Sequence, residues 1–82
     1  MRAHSNVCLT RVGRVARVSD GRALVEFFDG RALDGVDVTM VKVGRGSYVE
    51  VFGGLAMSKL SRSEAEGRRR AWAEVSRAAA LP

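Results

Sequence analysis

Cys8 is the one cysteine of the chain. A lone thiol can form neither an internal disulfide nor a multi-cysteine zinc site. It can be an inert core residue, a soft metal ligand or a nucleophile. The single histidine, His4, would have to be held beside Cys8 to make a catalytic pair, and nothing in the polar stretch around it promises that. There is no P-loop and no Rossmann fingerprint. Gly44-Arg45-Gly46 and Gly53-Gly54 read as turns, and Asp20, Asp29, Asp34 and Asp37 fall near turns without a metal-ligand spacing. The residue types therefore point away from an enzyme and leave Cys8 as the chemistry to explain.

Two other groups of residues could bind a partner. Phe27, Phe28, Tyr48 and Phe52 could stack nucleic-acid bases on a small barrel, or could simply fill the core and its edge, as aromatics in a domain of this size usually do. The net charge of +5 makes nucleic acid or an acidic protein surface a plausible partner. Its distribution weakens the nucleic-acid reading. Arg11, Arg14, Arg17, Arg22, Arg31 and Arg45 are scattered with acids between several of them, and only Arg68-Arg69-Arg70 is a cluster. Twelve of the fourteen basic residues are arginine, beside abundant Ala, Gly and Val, a bias that a GC-rich genome also produces.

The elements that must position these residues are short. The 82 residues suffice for one small domain. No apolar run approaches the roughly 20 residues of a membrane span, and the residues around Arg2 do not make a signal peptide. One cysteine fits a reducing cytoplasm, where the protein is expected. Residues 1–6 are expected to be a mobile tail. Strands are expected at Val12 to Val18, Arg22 to Phe28, Arg31 to Met40 and Ser47 to Phe52, with a short fifth at Leu55 to Met57. Ser19-Asp20-Gly21 and Asp29-Gly30 mark tight turns, Gly35 a bulge or kink, and Val41 to Gly46 a loop. Val36, Val38 and Met40 are placed on one face, and Val49 and Val51 point inward. Such strands imply a mainly β fold, a barrel or rolled sheet over residues 7–60.

A helix is expected over residues 61–80. Ser61-Arg62-Ser63-Glu64 has capping-box spacing. Ala65, Trp72, Val75 and Ala79 share one helical face, so the helix is expected to pack on or near the barrel with Trp72 as its anchor. Glu64–Arg68, Glu66–Arg70 and Arg70–Glu74 are spaced for pairing along the helix, and Gly67 weakens it by about 1 kcal/mol relative to Ala.

Taken in order, three stretches resemble the HypC/HupF hydrogenase maturation chaperones. Val7-Cys8-Leu9-Thr10-Arg11-Val12-Gly13 is similar to that family's opening Met-Cys-Leu-x-x-Pro-Gly. Val25-Glu26-Phe27-Phe28-Asp29-Gly30 looks like its second strand and glycine turn. Tyr48-Val49-Glu50-Val51-Phe52-Gly53-Gly54-Leu55-Ala56-Met57-Ser58-Lys59-Leu60 resembles its hydrophobic strand followed by His-x-Gly-Phe-Ala, an aliphatic residue and a leucine before an acidic helix start. The resemblance spans residues 7–77.

It implies a small OB-like barrel of about five strands with a C-terminal helix, and a role without catalysis. Such proteins pair with the HypD scaffold protein, help carry the iron–dicyano–carbonyl unit of nickel–iron hydrogenases, and escort the hydrogenase large-subunit precursor. The resemblance makes Cys8 the iron ligand, and it implies partner contacts at Cys8, Leu9, Gly13, Phe52, Gly54, Leu55 and Ala56. A thiolate is a soft donor suited to low-spin iron that carries cyanide and carbonyl. Membranes and nucleic acid are not expected partners. The alternative reading is a small basic OB-like nucleic-acid-binding module.

Three departures bear on this. Val12 replaces the family's proline, so the segment after the cysteine is less rigid. Phe52 replaces its histidine, which puts that histidine's role in doubt. Six residues precede Val7, which stands at the family's initiator position. A GUG codon is read as Met at a start, so translation from Val7 would give a chain whose mature N-terminus is Cys8. A genuine tail instead implies a divergent member with altered iron binding.

Overall fold

The computed structural model describes residues 10–79, in the order β1 (Thr10–Ser19), β2 (Arg22–Phe27), β3 (Ala32–Asp37), β4 (Tyr48–Phe52), β5 (Leu55–Leu60) and α1 (Arg62–Ala79). The expected tail and the residues Cys8 and Leu9 lie outside this range. The strands close into a barrel in the order β1-β2-β3-β5-β4, an OB-like arrangement followed by one helix. No helix among the described residues is long and apolar enough to cross a membrane.

β1 holds the barrel together because it is long enough to pair on both sides. Its first half runs antiparallel to β4, from Thr10↔Phe52 to Arg14↔Tyr48. Its second half runs antiparallel to β2, from Gly13↔Phe27 to Ser19↔Arg22. The register shifts between Val15 and Arg17, so Ala16 is a bulge that bends the strand from one partner to the other. The barrel closes where β3 meets β5: Asp37 stands beside Leu55, and its N–H donates to the Gly54 carbonyl at 2.8 Å.

The turns follow their residues. Asp20 and Gly21 both have positive φ, as a two-residue type I′ hairpin requires. The second turn is longer than expected. β2 stops at Phe27, which bonds across to Arg31, and Phe28-Asp29-Gly30 forms a three-residue loop with Gly30 at φ +86°. In β3, Asp34 and Gly35 together face Leu24, so the expected irregularity at Gly35 is a bulge. β3 ends at Asp37, short of Met40. The Asp37 carboxylate accepts hydrogen bonds from the Thr39 N–H and hydroxyl, at 2.9 and 2.6 Å, and turns the chain. These bonds favour the charged form and hold the Asp37 carboxyl below its ordinary value. Val36 and Val38 are accordingly buried, while Met40 is exposed and off their face.

Inside the barrel the packing is almost all valine. Val15, Val25, Val36, Val49 and Val51 are fully buried, with Ala23, Phe27, Val38 and Ala56 around them, and Val41 and Val43 of the following loop pack against the cluster. Branched side chains suit a narrow, pleated interior. Val12 and Ala65 are buried outside this cluster, and α1 packs against β1 and β5.

The helix begins as its sequence dictates. The Ser61 N–H donates to Glu64 at 2.8 Å and the Glu64 N–H donates to the Ser61 hydroxyl at 3.0 Å. The Ser61 amide first, and the Ser61 hydroxyl second, hold the Glu64 carboxyl below its ordinary value. Arg68 reaches across to Glu50 of β4 at 3.0 Å while its charge still helps to hold down the Glu64 carboxyl, and Glu66 has Arg69 at 3.9 Å. One expectation for the helix is corrected. Trp72 does not anchor the helix. It is 44% exposed and Val75 is 68% exposed, so only the first turns of α1 are fastened, by Ala65 and the Arg68–Glu50 pair.

Candidate functional site

The seven residues expected to make partner contacts separate into three groups. Cys8 and Leu9, with the expected iron ligand among them, lie outside the described residues. Gly13 and Ala56 are buried in the barrel. Phe52, Gly54 and Leu55 reach the surface, together, at the β4–β5 turn.

Gly13 is in the wall because two strands approach closely there. A Cβ at this position would sit 2.5 Å from Val25 Cγ1, 2.8 Å from the Glu26 carbonyl oxygen and 2.9 Å from Phe27 Cδ1. Ala56 pairs with Val51 and points to the interior. Both positions shape the barrel, and neither offers a side chain to a partner.

The β4–β5 turn is built by Gly53-Gly54. Only Gly53 has positive φ, +62°, which fits a type II′ turn with glycine at its first central position. The turn sets Phe52 directly opposite Leu55 on one face of the ladder. One residue further the register shifts: Val51 pairs with Ala56 and Glu50 with Ser58, leaving Met57 as the bulged residue. Met57 is 46% exposed and Phe52 45%. Phe52, Leu55 and Met57 thus make an apolar surface at the turn. Met57 was not among the expected contact residues. The alternation of Leu55 out and Ala56 in continues to Met57 out and was its signal; the bulge, which breaks the alternation after Met57, did not show in the pattern.

β1 begins at this surface. Thr10, the first described residue, pairs with Phe52, and only Leu9 separates Thr10 from Cys8 in the sequence. Two of the three stretches that carry the family resemblance, 7–13 and 48–60, are far apart in the chain, yet they meet through this pairing.

The other aromatics are committed elsewhere. Phe27 is buried, with the Arg11 guanidinium 3.8 Å from its ring centroid, and Arg11 also faces Asp29 at 3.5 Å. Phe28 and Tyr48 are half-buried. Among the described residues no group of three or more His, Cys, Asp or Glu side chains gathers to hold a metal ion. No protein-family model and no curated protein matches this chain.

Proposed function

We propose that this protein is a metallocentre-assembly chaperone of the HypC type. It works by contact with other proteins and presents Cys8 as a thiolate ligand to the iron–dicyano–carbonyl unit, which is its cargo. The observation that carries this reading is the Thr10↔Phe52 register. It adjoins Thr10, which begins the strand that follows Cys8 in the sequence, to the exposed turn of Phe52, Gly54 and Leu55, and the resemblance assigns both stretches to one function. The OB-like barrel with a C-terminal helix is also the fold that the resemblance implies.

The division of labour follows from the residue types. The thiolate supplies a soft donor to low-spin iron. Phe52, Leu55 and Met57 offer apolar area to a HypD-like scaffold and, in exchange, to the hydrogenase large-subunit precursor. Phe52, where the family has histidine, can bury area but cannot ligate or shuttle a proton, so Cys8 is the only donor that this reading assigns to the cargo.

Complementation of a host lacking its own chaperone, with its HypD-like scaffold present, tests the reading. Cys8→Ala is expected to abolish hydrogenase maturation without lowering thermal stability. Phe52→Asp is expected to weaken co-purification of the scaffold while the barrel stays folded. Normal maturation with Cys8→Ala removes the thiol from the mechanism; normal co-purification with Phe52→Asp removes the turn from the interface.

A further inference from the structure

The β4–β5 ladder has a second end, and its side chains are unlike those at the turn. Arg14 stands opposite Tyr48, and Tyr48 opposite Leu60, just before the chain enters α1. A cleft of about 630 Å³ opens there. Its lining includes Arg14 from β1, Lys59 from β5 and Arg62 from the first turn of α1, and no acidic residue among the described residues.

This concentration of charge is local. Arg11, Arg17, Arg31, Arg68 and Arg69 each have a carboxylate within 4 Å. Arg14, Lys59 and Arg62 have none among the described residues, although three like charges around one cleft repel each other. An anion placed between them both relieves that repulsion and adds its own attraction. Hydroxyls stand ready beside the cations. Ser47 Oγ accepts from the Gly44 N–H at 3.1 Å, so it still has its own O–H to donate, as has Tyr48.

The extent of the site favours carboxylates on a peptide over a polyphosphate track. A neighbouring cleft shares Arg14 and Tyr48 but is lined by Glu26 and Glu66, which ends the positive surface in that direction. Single-stranded nucleic acid needs a continued run of cations with exposed rings for stacking. The aromatics bordering these clefts are half-buried or, like Phe27, buried. A cationic lining this short suits a few carboxylates presented close together.

We propose that this cleft binds a short acidic segment of a partner protein, its carboxylates held by Arg14, Lys59 and Arg62. The site is at the opposite end of the β4–β5 ladder from the turn. It uses neither Cys8 nor Phe52, so it stands or falls independently of the chaperone reading.

The test is fluorescence anisotropy with a labelled hexaglutamate peptide and an oligothymidine carrying the same label, titrated with the full chain at low salt. The peptide is expected to bind, and more tightly than the oligonucleotide. The triple variant Arg14→Gln, Lys59→Gln, Arg62→Gln is expected to lose about tenfold in affinity, as removal of a few exposed charge pairs implies. The variant Lys42→Gln, Arg70→Gln, Arg77→Gln, which removes the same charge from exposed positions outside the cleft, is expected to lose less than about twofold. Equal losses from the two variants, tighter binding of the oligonucleotide, or no binding of the peptide each overturn the proposal. If the first variant does not fold, amide chemical shifts of the unaltered protein decide: shifts centred on Ser47, Lys59 and Ser61 are expected with hexaglutamate, and shifts centred elsewhere refute the site.

Discussion

Replacing Gly13 by alanine probes the tightest point of the barrel. β1 pairs with both β2 and β4 at this residue, opposite Phe27 on one side and Val49 on the other. The added methyl would lie 2.5 Å from Val25 Cγ1, a distance that real side chains do not tolerate. Val25 cannot step aside, since it is fully buried among the other core valines. The Glu26 carbonyl at 2.8 Å is backbone and cannot turn away without breaking the β1–β2 ladder. The strands must therefore separate. Overpacking of this kind costs about 1–3 kcal/mol, and the reduced freedom of the unfolded chain returns about 0.4–1 kcal/mol. A net loss of about 1.5 kcal/mol lowers Tm by roughly 6–12 °C in a domain of this size. Thermal unfolding followed by circular dichroism, checked by urea titration, measures it. A Tm within about 2 °C of the unaltered protein would refute the close-approach argument and return Gly13 to the list of residues kept for a partner.

Trp72→Ala should change stability by less than about 1 kcal/mol, well below the 3–5 kcal/mol of a buried tryptophan, because 44% of the residue stays exposed; urea unfolding checks this, and a loss above about 2 kcal/mol would mean that the helix lies down on the barrel. Ser61→Ala should cost about 1 kcal/mol by removing the N-cap, seen as reduced helical circular dichroism on heating, and an unchanged melt would contradict the capping geometry. Acid should act on the same cap. The folded-state pKa of Glu64 is depressed by the Ser61 amide and hydroxyl, so its contribution is complete above the unfolded value, near 4.3, and is lost as pH falls from there through the folded value. The melting temperature of the unaltered protein should drop over that window, and Glu64→Gln should show a smaller drop; identical acid profiles would rule out the cap as the cause.

What the sequence made legible was local. Asp20-Gly21 specifies a hairpin because both residues adopt positive φ readily, and that hairpin is present. Ser61 and Glu64 specify a cap down to the two reciprocal bonds. Strict alternation placed Val49 and Val51 in the core. What it hid depends on contacts between elements. The bulges at Ala16 and Met57 exist because strands of a small barrel must bend to close, and no single strand's pattern records that. Arg68 makes its close ion pair with Glu50 because Glu50 lies across the packing interface, a tertiary fact. The apolar stripe through Trp72 told which residues share a helix face but not whether anything covers it. At the candidate site, a glycine inside a strand pattern is itself a sign of close approach, so the wall role of Gly13 was readable in principle. The adjacency of the two resembling stretches was not, since it rests on the pairing of β1 with β4.

The claim that Cys8 carries an iron unit between proteins is tested most directly by infrared spectroscopy of the affinity-purified protein, produced anaerobically together with a HypD-like scaffold. Cyanide and carbonyl stretching bands are expected in the complex formed by the unaltered chain. They are expected to be missing from the protein carrying Cys8→Ala, at equal recovery of folded protein. Equal band intensity in the two samples, or bands in neither despite a formed complex, would contradict the account.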